Sequence, residues 1–255
     1  MIALVSIIAT LALFAVPALA QSAAGARYDP VEMAKARTEL KASHGSQLSA
    51  LILGERLELH AIDGAPFVWE GQGWIGGDLQ KLWLKAEGEY VTDDGGFEEA
   101  EMQALYSRAV SPFWELQVGV RQDIKPNPSR TYAVIGAQGL APYWFELEGA
   151  VFLSDVGDLF ARLEVEYEFR LTQRLILQQR IELNAAFSDD EAIGVGSGLS
   201  TAEAGLRLRY EVTREFAPYV GVSWSRAFGD TRAFRRIDGN DTNQVSFVAG
   251  LRFWY

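Results

Sequence analysis

Apart from Met1, the residues of this chain best suited to a soft metal ion are the methionines Met33 and Met102 and its two histidines, His44 and His60. Thioether sulfur and imidazole nitrogen are soft or borderline donors, and with no cysteine in the chain they are the only ones available. Met33, Arg37, Leu40 and His44 follow one another at three- and four-residue steps, which places them along one helical stripe. Met33 and His44 would nonetheless stand about 16 Å apart on an ideal helix, so one ion cannot bridge them unless the helix breaks. Met33, His44 and His60 are the candidate metal ligands; composition by itself does not single out which metal.

Catalytic constellations are thin. Neither a G-x-S-x-G nor an H-E-x-x-H pattern occurs, and the absence of cysteine removes thiol nucleophiles and disulfide frameworks together. His60, near Asp63, is the only candidate base for a hydrolase, and a satisfied or solvated histidine is the better account of its presence. The 34 acids outnumber the 23 lysines and arginines, for a net charge of −11. A concentrated basic face is missing, which excludes nucleic acid as a partner and makes cations the natural guests.

The elements that must position these residues begin after an uncharged segment. Residues 1–20 are apolar, end in Ala18-Leu19-Ala20, and read as a secretory signal peptide. Residues 21–47 are polar and helical in character. Asp29 is an N-cap acid, Pro30 takes the first helical position, Glu32 lies three residues after the cap, and Gly45 is suited to a C-terminal cap. The pattern predicts a short helix over 30–43, on the periplasmic side.

From 48 to 255 the period is two. Leu163, Val165, Tyr167 and Phe169 alternate with Arg162, Glu164, Glu166 and Glu168, and the same rhythm returns in Ala204, Leu206 and Leu208 against Arg207 and Arg209. Twelve such runs can be traced, joined by alternating tight turns (Ser111-Pro112, Thr172-Gln173) and longer polar loops (122–131, 188–200 and 229–241). An even strand count with short turns on one side and long loops on the other predicts a transmembrane, antiparallel, up-and-down β-barrel of the outer membrane, all-β apart from the short N-terminal helix. A charged face of this density belongs in a water-filled lumen and the apolar face against lipid. Strand parity places Glu87, Glu89, Glu164, Glu166 and Glu168 inside, where surplus negative charge would concentrate cations or be consumed in a salt-bridge lattice bracing a narrow bore. Met102 falls on the lipid side.

Several segments carry a family resemblance. Tyr28-Asp29-Pro30-Val31-Glu32-Met33 leading to His44-Gly45, Trp74-Ile75-Gly76-Gly77-Asp78, Leu82-Trp83-Leu84-Lys85-Ala86-Glu87-Gly88-Glu89, Gly139-Leu140-Ala141-Pro142-Tyr143-Trp144 and the closing Gly250-Leu251-Arg252-Phe253-Trp254-Tyr255 resemble the copper resistance protein B family. The resemblance implies a barrel in the outer membrane of a Gram-negative bacterium that serves copper resistance beside a periplasmic multicopper oxidase, with copper ion as the metal. Members of that family commonly carry a Met- and His-rich extension before the Y-D-P segment; here only residues 21–27 stand between the expected cleavage site and Tyr28. The aromatic last residue and the alternation of Phe247, Ala249, Leu251 and Phe253 look like the C-terminal signal read by the outer-membrane assembly machinery. Two other functions fit the same residues: a small general cation-preferring porin, or a barrel-embedded hydrolase acting through His60.

Overall fold

The computed structural model describes residues 28–44, 47–62, 64–91, 95–237 and 239–255. The expected leader, residues 21–27, the Gly45 cap and Asp63 lie outside the described residues. The chain divides into two units after Leu48.

In the first unit, α1 spans Pro30–His44. The Asp29 carboxylate accepts the Val31 and Glu32 amides at 2.8 and 3.2 Å, and proline at N1 has no amide hydrogen to satisfy. The N-terminus thus forms where the capping residues predict it.

The second unit is a closed barrel of twelve antiparallel strands: β1 Ser49–His60, β2 Phe67–Gly76, β3 Gln80–Val91, β4 Gly96–Ser111, β5 Trp114–Lys125, β6 Arg130–Ala141, β7 Phe145–Ser154, β8 Leu159–Arg170, β9 Leu175–Ala186, β10 Gly198–Tyr210, β11 Phe216–Ala227 and β12 Asn243–Trp254. Each strand pairs with its sequence neighbours, and β12 closes on β1 with Leu57 opposite Leu251 and Leu59 opposite Ala249. Closure leaves no unpaired strand edge, as a lipid environment requires. The outer surface carries Ile52, Leu84, Met102, Val118, Val120, Ile135, Leu163, Val220 and Phe247, all well exposed from the barrel and therefore presented to lipid.

Three features depart from the reading of the sequence. The long polar loop over 122–131 is mostly strand, since β5 runs to Lys125 and β6 begins at Arg130. The loop over 229–241 folds as a helix, α2 (Gly229–Ile237), whose Asp230 lies in the first turn and whose Arg235 and Arg236 lie in the last, each favourable to the helix dipole. Nor is the lumen ionised throughout. Trp83, Leu105, Tyr132, Val134 and Phe152 form a buried cluster inside the barrel, with Trp74 and Phe160 packed on it.

Register also shifts once where it matters most. In β1 the pairing with β2 jumps between Gly54 and Arg56, a bulge. Leu51, Leu53 and Glu55 line the bore before it, while Arg56 and Glu58 engage lumen partners after it. Two consecutive residues, Glu55 and Arg56, therefore both point inward.

Candidate functional site

The inward faces bring acids and arginines from many strands into one lattice. Arg56 on β1 donates to Glu70 on β2 at 2.6 Å and to Glu203 on β10 at 3.0 Å. Arg180 on β9 donates to Glu164 and Glu182, both at 2.6 Å, and lies 3.7 Å from Glu70. Arg162 on β8 reaches Glu87 on β3 at 2.5 Å and Glu101 on β4 at 3.0 Å, and Glu101 is shared with Arg121 at 2.5 Å. Arg121 in turn stacks on Tyr132 and Phe152, with its guanidinium 5.2 and 4.8 Å from the ring centroids. The aromatic cluster thereby serves as the apolar floor on which the charged half of the lumen rests.

The five acids predicted for the lumen are all on the inner face of β3 or β8. Glu87 and Glu164 belong to the lattice through Arg162 and Arg180, and Glu168 accepts from Arg209 at 2.6 Å and Arg252 at 2.9 Å. Glu166 sits opposite Glu146 on β7, and Glu89 opposite Glu99 on β4, so like charges face each other across adjacent strands. Among the described residues Glu55, Glu89, Glu146 and Glu166 make no ion pair with an arginine, lysine or histidine. Three participants escaped the period-two reading: Glu55, Glu70 and Arg252. Gly54 was the available signal for the first, since a glycine inside a strand marks a bulge; Glu70 was hidden in a glycine-rich strand with little alternation.

At the end of the barrel that carries the tight turns, a cavity of 850 Å³ opens. Ten carboxylates line it against four cationic side chains, Lys81, Lys85, Arg162 and Arg252. All four are paired: Lys81 with Glu115, Lys85 with Glu148 at 2.6 Å, Arg162 with Glu87 and Glu101, and Arg252 with Glu168. Glu55, Glu146 and Glu166 all border this cavity. Its lining can therefore hold mobile cations, through oxygen donors suited to hard or borderline ions.

His60 has a different setting. Its Nε2 lies 3.0 Å from Glu58 Oε1 and its Nδ1 2.8 Å from the Ser246 hydroxyl. Glu58 is fully buried and accepts two further bonds from Arg207, at 2.8 and 2.9 Å, and one from the Tyr219 hydroxyl at 3.1 Å. Two glycines make the room: a Cβ on Gly205 would stand 2.1 Å from the Arg207 guanidinium, and one on Gly250 would stand 2.6 Å from the Tyr219 hydroxyl. Serine, histidine and glutamate thus stand in a row that resembles a hydrolytic triad, but Ser246 is buried and Glu58 is held by an arginine. Both ring nitrogens of His60 are occupied, so a metal would have to displace one of these partners.

Met33 and His44 both belong to the one helix α1, eleven residues apart. Among the described residues no group of three histidines, aspartates or glutamates is arranged to hold a metal.

Comparison with known proteins gives three results. Residues 48–255 match the family model described as copper resistance protein B precursor (CopB). The chain is 47% identical over 215 residues to copper resistance protein B of Escherichia coli, an alignment that spans 84% of this chain and 72% of that protein. It is 46% identical over 213 residues to a copper resistance protein B homolog of Pseudomonas syringae pv. tomato, with 83% and 72% covered. Among solved structures the NanC porin superposes with a TM-score of 0.51 at 10% identity, over 80% of this chain and 99% of the porin, a likeness of fold alone.

Proposed function

Because the chain belongs to the copper resistance protein B family, we propose that its barrel binds copper ions at the acid-rich vestibule and exports them through or at the lumen. Its place is the outer membrane of a Gram-negative bacterium, as the family and the barrel together indicate, and both point to a role without catalysis. The observation that carries the reading is the lining of the vestibule, ten carboxylates against four cations. A surplus of fixed negative charge in a confined space raises the local concentration of cations.

Carboxylate oxygens attract Cu(II) and other divalent ions with little selectivity, whereas Cu(I) prefers the sulfur of Met33 and the imidazoles of His44 and His60. With so few thioethers, Cu(I) binding is weak and depends on partners that complete the site. In this reading residues 1–20 are a leader removed on export, 21–47 form a periplasmic segment, and the tight-turn end of the barrel faces the periplasm, where a multicopper oxidase would meet it. The terminal strand, from Phe247 to Tyr255, is the part the assembly machinery would read before the barrel enters the lipid bilayer.

Titrating the refolded protein with Cu(II) and, separately, with Cu(I) or Ag(I) tests this. Glu146→Gln with Glu166→Gln should weaken Cu(II) binding, and Met33→Leu with His44→Ala should weaken Cu(I) binding. Tight binding of many ions would refute the weak-site reading. No binding at all, together with unchanged copper tolerance in cells lacking the gene, would leave a general cation-preferring porin, which the same acid surplus favours.

A further inference from the structure

Ion pairs between adjacent strands brace a wall, but pairs between distant strands of a closed ring must cross the bore. Arg180 on β9 lies 3.7 Å from Glu70 on β2, and Arg162 on β8 bonds Glu87 on β3 at 2.5 Å; each pair is separated by five steps around the ring of twelve. Arg56 on β1 reaches Glu203 on β10, three steps away. Arg180 is 4% exposed and Arg207 1%, so the guanidiniums at the middle of the layer are packed away from solvent, while Glu87, Glu164 and Glu203 at its margins stay partly exposed. From the tight-turn side the vestibule ends on this layer, since Glu70, Glu87, Arg162 and Glu164 belong to both.

We infer that the bore is closed at rest by these crossing pairs and that Arg180 is the residue that decides permeation. Its guanidinium touches or approaches carboxylates from four strands, Glu70, Glu164, Glu182 and Glu203, the last at 3.6 Å. A cation can pass only when Arg180 leaves them. The closed arrangement is incompletely satisfied, because Arg180 Nη1 and Arg207 Nη1 are buried without a hydrogen-bond partner. Unpaired buried donors raise the energy of the closed state and bring an open one within reach. An incoming cation offers the same four carboxylates a substitute for the guanidinium, so the acids that latch the gate are also those that would lead an ion through it.

The inference rests on the lumen being the path of the ion, as proposed above, but not on the ion being copper. Single-channel recording of the full chain in planar lipid bilayers, with KCl as the only electrolyte, separates the two. The unmodified protein should stay closed with rare openings, and Arg180→Gln should raise the open probability about tenfold, the shift produced by losing one net hydrogen bond from the closed state. Arg174→Gln, in the tight turn 171–174, should leave the record unchanged. Heat-modifiable migration on gels reports whether each variant has folded. Should Arg180→Gln fail to fold, Glu164→Gln with Glu182→Gln removes the negative charge from both short contacts and should give a rise in the same direction. A steady open current in the unmodified protein, or folded variants as closed as the original, would overturn the inference. Loss of copper binding with this KCl behaviour intact would instead count against the copper reading alone.

Discussion

Glu58 and Arg207, on strands β1 and β10, are joined by two hydrogen bonds of 2.8 and 2.9 Å, and neither side chain is more than 1% exposed. Strands β11 and β12 lie between them in the ring, so the pair ties the first strand of the barrel to its tenth across the inner wall. Glu58 also holds His60 and Tyr219, which makes this carboxylate the hub of the long-loop half of the lumen.

Removing one partner from a pair this deeply buried leaves an uncompensated charge. Arg207→Leu should therefore destabilise the barrel by about 3–5 kcal/mol. Arg207→Leu combined with Glu58→Leu should recover a large part of that loss, because neither charge remains. Urea unfolding of refolded barrels in detergent or lipid measures both, and equal stability of the single and double variants would count against a coupled pair.

The space beside Arg207 and Tyr219 comes from missing side chains. Gly205→Ala and Gly250→Ala add one methyl group each, at 2.1 and 2.6 Å from polar atoms of the network. Overpacking of this kind costs about 1–3 kcal/mol. The control is Gly157→Ser in the β7–β8 loop, where open space surrounds the added atom but positive φ adds its own smaller strain. Thermal midpoints should fall further for the two lumen variants than for the control.

Loops at the long-loop end are fastened to one another. The Gly196 amide donates to the Thr231 hydroxyl at 2.8 Å, linking the β9–β10 loop to α2, and Arg130 holds Asp190 at 3.2 Å. Thr231→Val removes the acceptor and should cost about 1–3 kcal/mol locally by leaving the buried amide unpaired. Trypsin added to intact cells should then cut faster after Arg232, Arg235 or Arg236. Cutting instead after Arg174 or Arg214, in the tight turns, would invert the topology proposed above.

The cation surplus of the vestibule is electrostatic in origin, so it should respond to salt. Cu(II) retention by the refolded protein should fall as ionic strength rises, because screening lengths shrink from about 10 Å at 0.1 M to about 3 Å at 1 M. Binding unchanged over that range would point to a compact chelating site in place of a charged basin. His60→Ala should leave Cu(II) retention intact, since His60 is occupied by Glu58 and Ser246 and lies apart from the residues lining the vestibule.

Much of the barrel was legible because a pleated strand sends successive side chains to opposite faces, and that rule needs no partner to operate. Leu163, Val165 and Phe169 could be assigned to lipid and Glu164, Glu166 and Glu168 to the lumen from spacing alone. Twelve strands, their order and the cap at Asp29 followed in the same local way. The helix over Gly229–Ile237 did not, because its short polar segment is stabilised by the Thr231 contact with Gly196, a residue from another loop.

What the chain by itself determined, then, is the chemistry of each face, since alternation is a local property of extended backbone. Which charges meet was decided only by closure. Ser246 and His60 are 186 residues apart and touch because β12 pairs with β1, and Arg162 finds Glu87 because a ring of twelve strands is narrow enough for a guanidinium to span its bore. The bulge at Gly54 completes the lattice by turning Glu55 and Arg56 inward together, a choice set by register against β2 and β12 rather than by residue type. Whether an acid in the lumen is latched to an arginine, as Glu164 is, or faces another acid, as Glu166 faces Glu146, depends on diameter and register, which exist only once the sheet has closed.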